Sequence, residues 1–109
     1  MGMLTFVETR LFSRLVDEYL GNEGLLALQV YLQQQPDAGD LVRGSGGVRK
    51  VRWALPGRGK SGGLRVIYYL QLRKAQIWLL TLYPKGVTDS IPGHLLRKIN
   101  AEIDEEDRY

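Results

Sequence analysis

The segment at residues 64–83 reads LRVIYYLQLRKAQIWLLTLY. It contains two runs rich in β-branched, aromatic and aliphatic residues, 64–72 and 75–83, with a short polar reversal around Arg73 and Lys74. Residues of these types favour strands, so the stretch predicts a β-hairpin. Its nearly continuous apolar content predicts central strands that are buried on both faces of a sheet.

The segments before the hairpin supply further strands and two helices. Residues 50–55 alternate between basic and apolar side chains, which predicts a third strand, and residues 4–8 alternate enough for a short first strand. Between them, apolar residues recur at helical spacing in two segments, the first opening at Thr9 as a plausible N-cap and the second running over 23–35. Gly21-Asn22 is expected to stop the first helix and cap the second, which gives an antiparallel helical hairpin.

A third helix is expected after Asp89-Ser90, with Leu95, Leu96 and Ile99 on one face. The order β-α-α-β-β-β-α predicts a small α+β domain: an antiparallel sheet of about four strands with an N-terminal helical hairpin and a C-terminal helix. The length fits one domain over 1–109, with 1–3 as a cloning remnant or disordered start and 104–109 as a frayed tail.

Composition excludes several classes of protein. The chain has 109 residues and no cysteine, so it forms no disulfide framework, thiolate zinc site or iron-sulfur cluster. No apolar run approaches the roughly 20 residues that span a bilayer. We therefore expect no membrane association and a cytoplasmic location.

Positive charge is concentrated in the middle of the chain. Residues 41–88 contain ten basic residues and no carboxylate, whereas both flanking segments carry net negative charge. The basic residues of this block are Arg43, Arg49, Lys50, Arg52, Arg58, Lys60, Arg65, Arg73, Lys74 and Lys85. Such a block cannot neutralise itself through internal ion pairs, so it faces either solvent or a polyanion, of which nucleic acid is the leading candidate.

The densest functional signal is the glycine-rich segment 57–65, GRGKSGGLR. Glycines let the backbone approach a ligand closely, and the interleaved arginines and lysine suit phosphate. The segment is not a P-loop, because its glycine spacing differs and a strand, not a helix, follows Lys60-Ser61. A flexible loop with solvated charges is the alternative interpretation.

Several short motifs, in this order along the chain, resemble the HigB-type branch of the RelE toxin superfamily. They are FVET at 6–9, GD at 39–40, GGVRKVR at 46–52, GKSGGLRVIYY at 59–69 and LTLYPK at 80–85. The resemblance covers roughly residues 4–100. It departs at Ser61, where relatives tend to carry another cation.

This resemblance implies the toxin of a type II toxin-antitoxin system with a RelE-like fold. It implies a ribosome-dependent endonuclease that cleaves mRNA in the ribosomal A site and thereby inhibits translation. It also implies a partner encoded beside it, an antitoxin of the helix-turn-helix HigA type. No cofactor is implied.

The residues present suit RNA cleavage by attack of the 2′-hydroxyl on the adjacent phosphorus. The basic block has no carboxylates to hold metal ions and His94 is the only histidine, so arginine, lysine and tyrosine are left. We expect Arg65 to stabilise the phosphorane charge and Lys60 to act as base or phosphate contact. Tyr83 and Lys85 share side-chain parity at the end of a strand, where the family also places functional groups. Nearby cations are expected to lower the pKa of lysine and tyrosine.

Other residues of the block are expected to contact RNA outside the catalytic group. Of the adjacent Tyr68 and Tyr69, one is expected in the core and the other, Tyr69, stacked on a base. Trp53 and Trp78 are expected in the core. The expected RNA-binding residues are Arg49, Lys50, Arg52, Arg58 and Tyr69.

Two functions of other classes use the same features. A ParE-like toxin would inhibit DNA gyrase without nuclease activity, and a non-catalytic RNA-binding module would need only the cations and aromatics. The phosphate-sized basic loop favours the nuclease.

Overall fold

The computed structural model describes residues 3–54 and 63–86. Over these residues the chain forms β1 (Thr5–Glu8), α1 (Arg10–Tyr19), α2 (Gly21–Gln34), β2 (Asp40–Leu41), β3 (Val48–Trp53), β4 (Leu64–Gln71) and β5 (Gln76–Pro84). The α+β class, the helical hairpin and the β4–β5 hairpin are confirmed. The expected C-terminal helix and frayed tail lie outside the described residues.

The sheet has five strands in the order β1-β5-β4-β3-β2. The three pairs among β2, β3, β4 and β5 are antiparallel, but β1 pairs with β5 in parallel. The expectation of about four antiparallel strands was therefore incomplete in two details. The two-residue strand β2 is too short to leave a periodic pattern, and the direction of β1 depends on the path of the chain over the helical hairpin.

The link between the helices is tighter than expected. α2 begins at Gly21, and Leu20 occupies its N-cap position with no side-chain cap hydrogen bond, so the predicted cap at Asn22 was wrong. Gly21 makes this turn with a φ of +69°, a conformation that glycine adopts without strain. The cap predicted for α1 is confirmed, because the Thr9 hydroxyl accepts a hydrogen bond from the Phe12 amide at 3.0 Å.

Both helices pack on one side of the sheet, which we call the helix face, and the other side is the second face. The main core lies at the helix face, where Phe12 and Val16 of α1 and Leu28 and Leu32 of α2 are buried. A smaller buried cluster lies on the second face and consists of Val48, Ile67, Leu80 and Tyr83. The prediction that the central strands are buried on both faces is thus confirmed.

The segment after α2 is fixed to the sheet by Tyr68. Its hydroxyl donates to the Pro36 carbonyl at 2.8 Å and accepts from the Gly39 amide at 3.0 Å. A side chain at Gly39 would place its Cβ 2.9 Å from the Lys50 carbonyl oxygen, so only glycine fits under the strand there. Of the adjacent Tyr68 and Tyr69, Tyr68 is therefore the core residue. Its hydroxyl fixes the segment between α2 and β2 against β4.

We predict that Tyr68→Phe lowers the free energy of unfolding by about 1–3 kcal/mol, because it leaves a buried amide and a carbonyl without their partner. Tyr19→Phe is the matched control, since the Tyr19 hydroxyl has no hydrogen-bond partner in the part of the chain described above. Urea unfolding monitored by circular dichroism measures both. Equal midpoints and slopes for the two variants would show that the hydroxyl bridge adds no stability.

Candidate nucleic-acid interface

Three basic side chains meet at one end of the sheet. A pocket of about 280 Å³ is lined by Arg52, Trp53, Ala54, Gly63, Arg65 and Lys85. We call it the cationic pocket. Among the described residues, its lining contains three cations and no carboxylate, so it is suited to a phosphate group.

Strand register brings two of these cations beside a tyrosine. Arg65 in β4 lies opposite Arg52 in β3 and opposite Tyr83 in β5. Directly opposed residues in antiparallel strands have Cβ atoms about 4.5–5.5 Å apart and project from the same face. The three side chains thus form a row across the second face. Two arginines side by side repel each other, and an anion between them would relieve that repulsion.

The backbone around Arg65 is held from both sides. Arg65 is the second residue of β4 and pairs with β3 and β5, and the Lys85 amide donates to the Gly63 carbonyl at 3.0 Å. This last bond ties the end of β5 to the start of β4, which brings Lys85 to the pocket. Arg65 and Lys85 therefore project from a paired sheet end, which limits their backbone motion.

Tyr83 is nearly buried, with 8% of its surface exposed. Burial raises the pKa of its hydroxyl above the ordinary value, and the nearby Arg65 only partly offsets this. The expectation that neighbouring cations lower the pKa was wrong for Tyr83, because loss of solvation outweighs the attraction of one guanidinium. At neutral pH its phenol is a proton donor and not a base.

An aromatic pair lies further along the second face. Tyr69 in β4 is opposite Trp78 in β5, and both are half-buried beside the second-face cluster. Tyr69 is four residues beyond Arg65, a separation of about 13 Å along the strand. The Trp78 indole N–H donates to the Gln76 side-chain oxygen at 3.1 Å, which restrains the ring. A few nucleotides of single-stranded RNA can span the distance from the pocket to this pair.

The tryptophans differ in their positions. Trp53 packs against the main core, and its ring centroid lies 5.3 Å from that of Tyr31 in α2. Trp78 packs against the second-face cluster, so it contributes to a core but not to the one beneath the helices.

The remaining expected site residues divide into three groups. Lys50 lies on the second face opposite Ile67, two residues before Arg52 on β3. Arg49 is placed elsewhere: it alternates to the helix face, and its guanidinium donates to the carbonyls of Gly39 at 2.7 Å and Asp37 at 3.3 Å. Both bonds come from the Nη1 nitrogen, so this part of the side chain is held against the segment that leaves α2, and the expected contact of Arg49 with RNA stays a prediction. The two loop cations Arg58 and Lys60 lie outside the described residues, as do Ser61 and His94.

Sequence reasoning missed how close Arg52 is to Arg65. Alternation with Val51 indicated which face Arg52 occupies, but only the β3–β4 register shows that it is a direct neighbour of Arg65. The glycines at 44–47 form the turn between β2 and β3, which is closed by the buried Ser45. Its hydroxyl donates to the Val42 carbonyl at 2.6 Å and accepts from the Val48 amide at 3.0 Å.

Neither a metal cluster nor a membrane helix is found in the described ranges. Within residues 3–54 and 63–86, no group of three or more His, Cys, Asp or Glu side chains is placed to hold a metal ion. The helices α1 and α2 are too short and too polar to cross a bilayer, and no other helix is described.

Comparison with known proteins identifies the fold. No protein-family model matches the chain. Among solved structures, the chain is similar to the E. coli toxin RelE, determined in the free state as a mutant with two arginines replaced by alanine, with a TM-score of 0.55 and 18% sequence identity. The match covers 81% of this chain and 90% of the RelE chain. The expected RelE-like α+β fold is thereby confirmed.

We predict that stability falls as the pH rises above about 10, the ordinary pKa of tyrosine. Burial raises the pKa of both Tyr68 and Tyr83, so the folded state holds these protons more tightly than the unfolded state. The stabilisation is complete below the unfolded value and is lost as the pH rises through the folded value. Urea unfolding between pH 8 and 11 should show a shallower fall for Tyr83→Phe than for the parent. Parallel curves would mean that Tyr83 is not titrating from a buried site.

Proposed function

We propose that this chain is a HigB-type toxin of the RelE/ParE superfamily and a ribosome-dependent endonuclease that cleaves mRNA in the ribosomal A site. The observation that carries the proposal is the pocket in which Arg52, Arg65 and Lys85 meet without a carboxylate among the described lining residues, with Tyr83 adjoining through its pairing with Arg65. The RelE-like fold supports it, as do the motifs around Arg65 and Tyr83.

In the proposed reaction the 2′-hydroxyl attacks the adjacent phosphorus and the 5′-oxygen leaves. Arg65 stabilises the extra negative charge that develops on the phosphoryl oxygens, and Arg52 neutralises a phosphate beside it. Tyr83 is protonated at neutral pH, so it suits donation of a hydrogen bond or proton to the leaving oxygen rather than deprotonation of the nucleophile. The base is then Lys60 or Lys85, with Arg58 on a flanking phosphate.

The remainder of the RNA path follows the second face. Lys50 adds a cation on the same face, two residues from Arg52 along β3, and Tyr69 offers an aromatic surface about 13 Å from Arg65. A single strand suits this arrangement because its bases are free to stack on side chains, whereas those of a duplex are stacked on each other.

The partner we propose is a helix-turn-helix antitoxin of the HigA type, which would neutralise the toxin in the cytoplasm, where ribosomes are found. Such a partner can cover the cationic pocket with an acidic segment or bind elsewhere and block entry to the ribosome. Asp17 and Glu18 in α1 are exposed and offer negative charge for the second route.

We predict that Arg65→Ala reduces mRNA cleavage by about 10²- to 10³-fold, as expected for loss of one preorganised stabiliser of developing charge. Arg73→Ala is the matched control, since it removes the same charge from the exposed β4–β5 turn, away from the pocket. Primer extension on mRNA after brief induction measures the cuts, and circular dichroism checks the fold. A folded Arg65→Ala variant that cuts like the parent would exclude Arg65 from the site.

The same experiment separates the alternative functions. Growth arrest by the parent without any cuts would favour the ParE-like alternative. Ribosome binding without cuts or arrest would favour the RNA-binding module.

We also predict that the upstream cleavage product ends in a 2′,3′-cyclic phosphate and the downstream product begins with a 5′-hydroxyl. This outcome follows if the ribose hydroxyl is the nucleophile, because the phosphorus stays bonded to both ribose oxygens. Treatment of the fragments with polynucleotide kinase with and without its phosphatase activity distinguishes the ends. A 5′-phosphate with a free 3′-hydroxyl would indicate attack by water and would contradict this mechanism.

A further inference from the structure

Strand β5 contains one residue more than its partner. Ile67 of β4 pairs with Thr81, but the next residue, Tyr68, pairs with Leu79, so Leu80 is an extra residue in β5. This is a β-bulge, a feature that often re-aims side chains next to functional sites.

The bulge reverses the side-chain alternation of β5. Leu79 and Leu82 are three residues apart, yet both are buried in the main core at the helix face. Leu80 and Tyr83 are also three apart, yet both belong to the second-face cluster. In a regular strand, residues an odd number apart point to opposite faces. If Leu80 instead took a regular place in the ladder, Tyr83 would fall opposite Leu64 and point to the helix face, away from Arg65.

Thr9 contacts the bulge through two successive carbonyls of β5. Its backbone amide donates to the Leu79 carbonyl at 3.1 Å, and its hydroxyl donates to the Leu80 carbonyl at 2.7 Å. Successive carbonyls of a regular strand point in opposite directions, so one residue can bind both only where the strand is bulged. The extra residue of a bulge is left unpaired in the ladder. Here the Thr9 hydroxyl donates to the carbonyl of that residue, Leu80, in place of a ladder partner.

We propose that Thr9 is a positioning residue: its hydroxyl fixes the β5 bulge and thereby holds Tyr83 opposite Arg65. A role of this placement in catalysis rests on the proposed function. The position of Tyr83 opposite Arg65 does not depend on it. The proposal also accounts for the end of the FVET segment at 6–9, to which the reaction assigns no role.

The same hydroxyl caps α1, so the test must separate capping from positioning. Thr9→Asp keeps an oxygen that can accept from the Phe12 amide but has no proton for the Leu80 carbonyl. Thr9→Gly removes the hydroxyl without adding charge, and glycine is a tolerated N-cap. Thr9→Ser keeps both the donor and the acceptor and is the matched control.

The readout is the electrostatic coupling between Arg65 and Tyr83, which needs no RNA and no nuclease activity. Tyrosine labelled with carbon-13 at the ring carbon bearing the hydroxyl is titrated by NMR, and Tyr83→Phe identifies the signal. In the parent, Arg65→Gln should raise the pKa of Tyr83, because Arg65 lowers it. A double-mutant cycle with each Thr9 variant measures whether this coupling survives.

We expect the coupling to survive in Thr9→Ser and to be lost in Thr9→Asp and Thr9→Gly. Cleavage should then fall by about 10- to 100-fold in the latter two, as for a misplaced catalytic group. Coupling at the parental level in Thr9→Asp and Thr9→Gly would overturn the proposal, as would its loss in Thr9→Ser. If both hydroxyl-free variants fail to fold while Thr9→Ser folds, Thr9 is a structural residue and the positioning role is rejected. A parent that shows the coupling but cuts no RNA would reject the proposed function and leave the placement of Tyr83 intact.

Discussion

The fold is organised around the pairing of β4 with β5. These strands form the centre of the sheet, and their side chains are buried on both faces, against the helices on one and in the smaller cluster on the other. A ladder buried on both faces tolerates no slip, because a shift of one residue would exchange the two sets of side chains. The β-bulge at Leu80 introduces a one-residue shift within β5, so the residues on either side of it keep their faces. The bulge divides β5 into two segments. The segment before Leu80 packs mainly in the core, and the segment after it contains Tyr83, which lies opposite Arg65.

The connections around this ladder keep it in place at both edges. On the β2 side, the Tyr68 hydroxyl and the Arg49 guanidinium bind backbone groups of the segment that leaves α2. On the β1 side, the Gln33 side chain of α2 both accepts from the Leu4 amide and donates to the Leu4 carbonyl, as a neighbouring strand would. Because these bonds lie where irregular segments meet the sheet, they satisfy backbone groups that the ladder leaves unpaired.

Electrostatics and burial act in opposite directions at the proposed site. The cations Arg52, Arg65 and Lys85 border a common pocket and favour any anion that enters it. Tyr83 is beside them but is shielded from water, and its desolvation raises the pKa of the phenol against the pull of Arg65. A protonated phenol in a cationic setting can donate to a phosphate oxygen without adding a negative charge that would repel it. In the mechanism we propose, the cations stabilise charge and the tyrosine supplies a proton, and the pairing of three neighbouring strands places these side chains next to one another.

The local pattern of the sequence determined the helices, the central hairpin, the Thr9 cap and the charge of the middle segment, because periodicity, capping and composition act between residues close in the chain. The tertiary structure alone set the parallel direction of β1, the β5 bulge and the resulting pairing of Tyr83 with Arg65. It also turned Arg49 toward backbone carbonyls and reversed the expected direction of the pKa shift of Tyr83. Each of these depends on which strand lies beside which and on how much water is excluded between them. Both are properties of contacts between distant parts of the chain, such as Thr9 with Leu80, that no local pattern encodes.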